Sequence, residues 1–308
     1  MNRLTSILVG GLLLTAALPV TYTFTGASDE VTSSLRVEFP PGYLTESNGD
    51  DGKELWAVVV VALGESLEPY IYDALVTTEN WNPSHIRLLW KEAATRENIL
   101  SSLDWLRDNA DENDTVLFAV DSHGTYHQGR YGIWPWDGYF DGGFITVDEL
   151  DAKLDAIQCQ EMCLIFECCY SGSFVDTATA NKRCQITAFR SAFTGGVGGS
   201  NRVVLMSASG SGLSAHWQHH QVLTGTTIEI SFSSLLGQAF EQKIDDNADG
   251  MCSAEEAFRY ARLRWLPWAA LLAFNPSIQI PVRLFYGSFV NPFPSMNDGY
   301  EGDLAIVF

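Results

Sequence analysis

Positive charge is scarce in this chain. The 308 residues include 18 Lys and Arg against 38 Asp and Glu, which gives a formal net charge of −20. A protein of this sign repels phosphate groups, so the composition argues against nucleic acid as a partner. The carboxylates are spread along the chain and form no acidic tail.

The sequence also lacks the motifs of several metal and cofactor sites. No Cys-x-x-Cys pair is present, which argues against a structural zinc site. No nucleotide-binding glycine motif of the Walker or dinucleotide type accompanies the predicted strands, so we expect no organic cofactor. A hydrophobic content of 46% with 18% charged residues is typical of a globular protein.

The N-terminal segment differs in composition from the rest of the chain. Arg3 precedes an apolar stretch from Leu4 to Val20, and the small residues Thr25-Gly26-Ala27 come before the chain turns polar. Residues 1–27 therefore predict a secretory signal cleaved after Ala27, and hence a secreted or extracytoplasmic protein. The alternative is an uncleaved membrane anchor, because the stretch is close to spanning length. A membrane is expected as a partner only through this segment.

Strand and helix patterns alternate from residue 54 onward and predict an α/β fold with a mostly parallel sheet. Residues 28–53 are rich in Ser, Gly, Asp and Pro and are interpreted as a linker or short pro-segment. A second apolar run, Leu263 to Phe274, contains Arg264 and Pro267 and is too short to span a bilayer, so it predicts a buried helix or loop. Strands are predicted at 55–63, 86–90, 116–120, 162–166, 202–207 and 304–308, and helices at 67–76, 95–109, 146–157, 227–241 and 253–265.

Two short strings follow neighbouring predicted strands and carry reactive side chains. Asp121-Ser122-His123-Gly124 follows the third predicted strand, and Glu167-Cys168-Cys169-Tyr170-Ser171-Gly172-Ser173 follows the fourth. Side chains at the carboxyl ends of neighbouring parallel strands can meet, and an imidazole near a thiol raises its thiolate fraction. The pattern predicts a cysteine nucleophile with a histidine base.

These strings resemble those of the caspase-like cysteine peptidases, namely legumains, metacaspases and caspases. Legumains have His-Gly and Glu-Ala-Cys-Glu-Ser-Gly-Ser, and metacaspases have His-Gly and Asp-Cys-Cys-His-Ser-Gly or close variants. The likeness extends over roughly residues 54 to 308. It implies a three-layer α/β/α sandwich with a mostly parallel central sheet, and it places the nucleophile at Cys169.

The predicted catalytic pair is Cys169, the nucleophile, and His123, the general base and then acid. The backbone N–H groups of Gly124 and Cys169 are the expected oxyanion hole. Both side chains also have simpler interpretations, since free cysteines are often buried in cores and a strand-end histidine can be purely structural. Cys168 is expected to be a packing residue.

The expected substrate pocket contains Glu167, with Ser207 and Ser209 as its other wall. Glu167 lies two residues before Cys169, so both side chains face the same way on an extended strand. The resemblance implies that an acidic residue here lines the pocket, which favours Arg, Lys or Asn on the acyl side of the cut bond. The resemblance implies that an Arg in the loop after the first strand is needed to recognise Asp, and the corresponding stretch Gly64–Tyr70 has none, which argues against cleavage after Asp. Glu167 could equally be a hydrogen-bonded structural carboxylate.

Residues 245–256 match the EF-hand-like calcium-loop template. Ser253-x-x-Glu256 is also a helix capping box, and the two interpretations share residues without excluding each other. The sequence thus predicts a Ca²⁺ site with a structural or regulatory role. The expected ligands are Asp245, Asn247, Asp249, Met251 through its carbonyl, and Glu256.

Together these features predict an exported cysteine endopeptidase that acts on peptide or protein substrates through an acyl-enzyme. Two alternatives remain open at this point. One is a catalytically silent caspase-like module that binds partners, and the other is a transamidase or ligase that uses the same dyad.

Overall fold

The computed structural model describes residues 52–63, 68–138, 143–175, 197–210, 212–215, 217–221 and 226–308, with the backbone alone described at 217–221 and 226–229. The predicted signal or anchor at 1–27 lies outside the described residues, as does most of the predicted linker at 28–53. The strands are β1 (Leu55–Val61), β2 (Ile86–Trp90), β3 (Thr115–Asp121), β4 (His123–His127), β5 (Arg130–Trp134), β6 (Ile145–Thr146), β7 (Glu161–Glu167), β8 (Arg202–Met206), β9 (Trp217–Gln221), β10 (Thr226–Ile230), β11 (Cys252–Ser253), β12 (Ser295–Asp298) and β13 (Ala305–Val307). The helices are α1 (Tyr70–Val76), α2 (Arg96–Asn109), α3 (Val147–Leu154), α4 (Phe232–Glu241), α5 (Ala254–Ala273) and α6 (Pro276–Tyr286).

A six-stranded sheet in the order β12-β8-β7-β3-β1-β2 forms the centre of the fold. The pairs within β8-β7-β3-β1-β2 are parallel, and the edge strand β12 is antiparallel to β8. Strands β1, β3, β7 and β8 are buried over their whole length, as expected for apolar runs covered on both faces. The mostly parallel sheet of the sequence prediction is thus confirmed.

Helices cover both faces of this sheet. Alternate residues of β1 point to opposite sides, so Val58 packs in the cluster that contains α2 and α3, whereas Val59 packs in the cluster that contains α1, α4, α5 and α6. Thr146 and Glu149 form a capping box at the start of α3. The three-layer α/β/α architecture follows from this arrangement.

A β-hairpin follows β3, in a stretch to which the sequence analysis assigned no strand. Strands β4 and β5 pair antiparallel, and Gln128 and Gly129 between them both have positive φ, of 51° and 82°. Two such residues make the tight turn whose twist suits a hairpin. The hairpin begins at His123, so it fixes the backbone that carries the predicted base.

The structure differs most from the sequence prediction in two helix bounds and in the place of the last strand. The helix predicted at 227–241 begins at Phe232, because the β-branched stretch before it forms β10 against β9. The helix predicted at 253–265 continues through Pro267 to Ala273, and α6 follows it after Asn275 caps the helix. The C-terminal strand pairs with β11 and lies outside the central sheet.

The apolar run from Leu263 to Phe274 is only half buried, so the prediction of a buried helix or loop was wrong for one side of it. Trp265, Ala269 and Leu272 point into the core, whereas Leu271 and Phe274 are exposed. Within the described residues, no helix combines the length and the apolar character needed to cross a bilayer.

Candidate active site

The two motifs begin where neighbouring strands of the central sheet end. Strands β3 and β7 are parallel and in register, with Asp121 opposite Glu167. His123 and Cys169 each lie two residues beyond that pair. The sheet register therefore brings the two predicted catalytic residues to the same edge of the sheet.

Gly124 packs directly against the backbone of Cys169. A Cβ atom at position 124 would lie 1.7 Å from the carbonyl oxygen of Cys169 and 2.9 Å from its nitrogen. A separation of 1.7 Å is far inside van der Waals contact, so position 124 admits no side chain unless the backbone moves. This contact joins the His-Gly string to the Cys string, which the sequence shows only as separate motifs.

The adjacent cysteines face opposite sides of the sheet. Cys169 packs in the cluster with α1, α4 and α5, and Cys168 packs in the cluster with α2 and α3. None of the described cysteines, these two included, takes part in a disulfide. The packing distinguishes the predicted nucleophile from its neighbour, and it gives Cys168 the packing role expected of it.

Burial keeps the predicted catalytic pair neutral. Cys169 is only 4% exposed, and this burial raises the pKa of its thiol to about 11, although a hydrogen bond from the Ser214 backbone opposes the rise. Burial also lowers the pKa of the His123 imidazole below its ordinary 6.5. At neutral pH the described form therefore favours a thiol and an uncharged imidazole over a thiolate and an imidazolium.

The loop after β7 rests on the loop after β8. The Tyr170 amide donates to the Gly212 carbonyl at 2.8 Å, and a Cβ at Gly172 would lie 2.1 Å from the amide nitrogen of Gly210. Ser214, whose backbone reaches Cys169, belongs to this second loop. The sequence analysis did not identify Ser214, because tertiary packing alone brings it there. The sequence does mark this loop by Gly212. A Cβ atom at that position would lie 2.2 Å from the Cβ of Asn291, so a side chain does not fit there.

The carboxylate of Glu167 lies at the start of α4. It accepts hydrogen bonds from the backbone N–H of Phe232 at 3.0 Å and of Ser233 at 2.6 Å, and it is buried. Burial raises the pKa of this carboxyl, while those hydrogen bonds oppose the rise. The structure thus gives Glu167 a structural partner, and its role in a substrate pocket stays a prediction.

The two serines predicted for the other pocket wall also have partners in the protein. The hydroxyls of Ser207 and Ser214 are 2.7 Å apart and buried, and the Ser209 hydroxyl donates to the Phe293 carbonyl at 2.7 Å. Both serines lie on the loop that contacts Cys169, but their hydroxyls are engaged within that loop and with the C-terminal segment. They stay predicted pocket residues.

The predicted calcium loop is held by its own side chains. Asp245 accepts from the amides of Asp249 at 3.1 Å and Gly250 at 2.9 Å, and Asp249 accepts from the amide of Met251 at 2.9 Å. Gly250 has φ of +89°, which the turn requires.

Glu256 serves two ends of the same loop. One carboxylate oxygen accepts from Asp246 at 2.7 Å and Asn247 at 3.2 Å, and the other closes the capping box with Ser253. No group of three or more His, Cys, Asp and Glu suited to a metal ion lies in the part of the chain that the structure describes. The capping box is confirmed, and calcium binding stays a prediction.

Comparison with known proteins supports the resemblance drawn from the two motifs. Residues 67–178, which include His123 and Cys169, match the family model "Metacaspase, peptidase C14 domain". The crystal structure of protein GSU0716 from Geobacter sulfurreducens is similar at 13% identity and a TM-score of 0.46, over 82% of this chain and 95% of that one. The comparison with curated proteins found no match. The family match confirms the resemblance drawn from the two motifs: the chain resembles the caspase-like cysteine peptidases, through a metacaspase-type peptidase C14 domain.

Proposed function

We propose that this protein is an exported cysteine endopeptidase in which Cys169 and His123 form the catalytic dyad. The contact between the Gly124 backbone and the Cys169 backbone carries the proposal, because it brings the two reactive strings together at one sheet edge. The family match supports a peptidase at the level of class.

The proposed reaction follows from the chemistry of the pair. His123 takes the thiol proton as the Cys169 sulfur attacks the substrate carbonyl, and the resulting oxyanion accepts hydrogen bonds from the backbone N–H groups of Gly124 and Cys169. The imidazolium then donates its proton to the leaving amine, which departs as the thioester forms. Water, deprotonated by His123, attacks the thioester and releases the acid and the free thiol.

The neutral state of the pair implies that attack and proton transfer are coupled. A thiol with a pKa of about 11 has little thiolate at pH 7, so the imidazole has to accept the proton during the attack itself. Because Cys169 is buried, a substrate reaches the sulfur only if a neighbouring loop moves away from it. The loop that contains Ser214 is the nearest candidate, since its backbone reaches that sulfur.

We further propose cleavage after a basic residue or Asn. Two acidic residues support this preference: Asp121 and Glu167 lie opposite each other at the ends of β3 and β7, just before the proposed catalytic residues. The lack of Arg in Gly64–Tyr70 argues against Asp at the same position. Export rests on the sequence pattern of residues 1–27, and calcium binding rests on the loop template at 245–256.

The alternative of a silent binding module is favoured by one observation, the nearly complete burial of Cys169. Hydrolysis of fluorogenic peptides ending in Arg, Lys, Asn or Asp, with and without calcium, separates the two functions. The peptidase predicts cleavage of the Arg, Lys or Asn peptides that is abolished in Cys169→Ala and retained in the matched control Cys168→Ala. A folded wild-type protein that cleaves none of the peptides would favour the binding module.

A further inference from the structure

Helices α5 and α6 expose a concentration of large apolar side chains. Each of the residues in this surface is more than half exposed, with Phe285 at 80%, Phe274 at 78% and Leu284 at 76%. Such groupings on a soluble domain mark an interaction site. We call it the α5–α6 surface, and its members are Leu263, Leu271, Phe274, Ile280, Leu284 and Phe285.

The surface is one side of helices whose other side is already packed. Trp265 and Leu272 of α5 and Val282 of α6 belong to the core cluster beneath the central sheet. The Trp265 indole donates to the Pro292 carbonyl at 2.7 Å, and the Gln279 amide donates to the Val290 carbonyl at 2.8 Å. These contacts fix both helices in place. The exposed side chains are therefore not required to hold these helices in the fold.

The charge of this region is opposite to that of the rest of the chain. Residues 257–297 contain four Arg and no Asp or Glu, in a protein of net charge −20. Arg259 pairs with Asp246 at 2.8 Å, and Arg264 lies 3.4 Å above the ring of Tyr260. Arg262 and Arg283 form no ion pair with any carboxylate among the described residues.

Exposed Leu, Ile and Phe side chains beside arginines are the combination that binds at the surface of an anionic bilayer. The apolar side chains enter the boundary between headgroups and acyl chains, and the guanidinium groups meet lipid phosphates. We propose that the α5–α6 surface docks the folded domain onto an anionic lipid membrane. This contact is independent of residues 1–27 and of the peptidase activity.

A second copy of the chain fits this surface less well. A two-fold contact would bring the arginines of residues 257–297 from both copies into one interface, with no carboxylate from residues 257–297 to pair with them. Like charges of this kind oppose association. An anionic lipid surface instead supplies the missing counter-charge.

The test reports on this surface alone, even if the N-terminal segment also binds lipid. Full-length protein with Leu284→Cys is labelled with the polarity-sensitive fluorophore NBD, and the parent protein gives the background from native thiols. Vesicles of phosphatidylcholine with about 30% phosphatidylserine should shift the NBD emission to the blue, and about 0.5 M NaCl should weaken the shift. The matched control is NBD at Phe308→Cys, an exposed apolar position outside the surface, which should not respond.

A second variant measures the affinity. Leu284→Glu/Phe285→Glu alters only exposed side chains, so the fold should be retained, and binding to these vesicles should fall about tenfold or more relative to Phe308→Glu. No NBD shift on vesicles that carry the bound protein would overturn the proposal. A shift that grows with protein concentration without lipid, together with a dimer in sedimentation, would identify a protein interface and also overturn it.

Discussion

At the scale of single residues, the site depends on two backbones that touch. The Cys169 carbonyl occupies the volume that a side chain at position 124 would need. Because Gly124 follows His123, this packing couples the position of the proposed base to that of the proposed nucleophile, Cys169. A change of one methyl group is enough to test the coupling.

Gly124→Ala should therefore reduce peptidase activity by about a hundredfold or more, since a misplacement of about 1 Å near the reacting atoms has that effect. The natural control is Gly129→Ala in the same hairpin. A Cβ there meets nothing within 4 Å, and its positive φ costs only about 1–2 kcal/mol. The measurement is kcat/KM for peptide hydrolysis, compared between Gly124→Ala and Gly129→Ala. Equal activity in both would show that the contact does not position the site.

At the scale of elements, α4 begins on a buried carboxylate of β7. The first amides of a helix lack partners within the helix, and Glu167 supplies acceptors for two of them. The helix dipole favours a negative group in this place. Glu167 thus connects the strand that carries Cys169 to the helix layer on one face of the sheet.

Glu167→Ala should lower the free energy of unfolding by about 2–4 kcal/mol, because two buried N–H groups lose their acceptor. Glu167→Gln keeps one acceptor oxygen and should be closer to wild type. Urea unfolding gives both values. Unchanged stability of Glu167→Ala would show that these two hydrogen bonds do not stabilise the fold.

The calcium-loop hypothesis belongs to the same scale. If the loop at 245–256 binds Ca²⁺, saturating calcium should raise Tm by about 2 °C or more, and Asp249→Ala should remove that rise. Asp246→Ala is the matched control, since Asp246 pairs with Arg259 and is not an expected ligand. Thermal unfolding with calcium and with chelator measures the effect. A Tm that does not change with calcium would contradict the calcium-loop hypothesis and show that residues 245–256 form only a turn with a helix capping box.

At the scale of the whole molecule, buried thiols make stability depend on alkaline pH. Burial raises the pKa of Cys159 and Cys169 to about 11 and of Cys252 to about 12, from an ordinary 9.0. The folded state therefore favours the neutral thiol. This contribution is complete below pH 9 and is lost as the pH rises through 11 and 12.

The free energy of unfolding should accordingly fall between pH 9 and 11, by about 2 kcal/mol from Cys169 alone. Cys169→Ala should flatten this dependence by the same amount, and Cys168→Ala should flatten it as well, since burial also raises the pKa of that thiol. Urea unfolding at a series of pH values tests the slope. A free energy that stays constant to pH 11 would show that the thiols are hydrated in the folded state.

Much of the molecule follows from its sequence. The apolar runs of β1, β3 and β7 predict a buried parallel sheet, and strand-end positions place His123 near Cys169. The strands β4 and β5 were not assigned from the sequence because their turn, Gln128-Gly129, has a non-glycine residue with positive φ. The exposed side of α5 was missed because an apolar run does not show which face stays uncovered. Ser214 and the partners of Glu167 depend on contacts between segments far apart in the chain, which no local pattern reports.

The most direct test of the central claim is to locate the residue that reacts with a substrate-like electrophile. The protein is treated with peptidyl acyloxymethyl ketones ending in Arg or Asn, and mass spectrometry locates the modified residue. We expect Cys169 to be modified and Cys168 to remain unmodified. His123→Ala should slow that modification strongly while the protein stays folded. Modification of another thiol, or a folded protein whose Cys169 never reacts, would contradict the assignment of Cys169 and His123 as a catalytic pair.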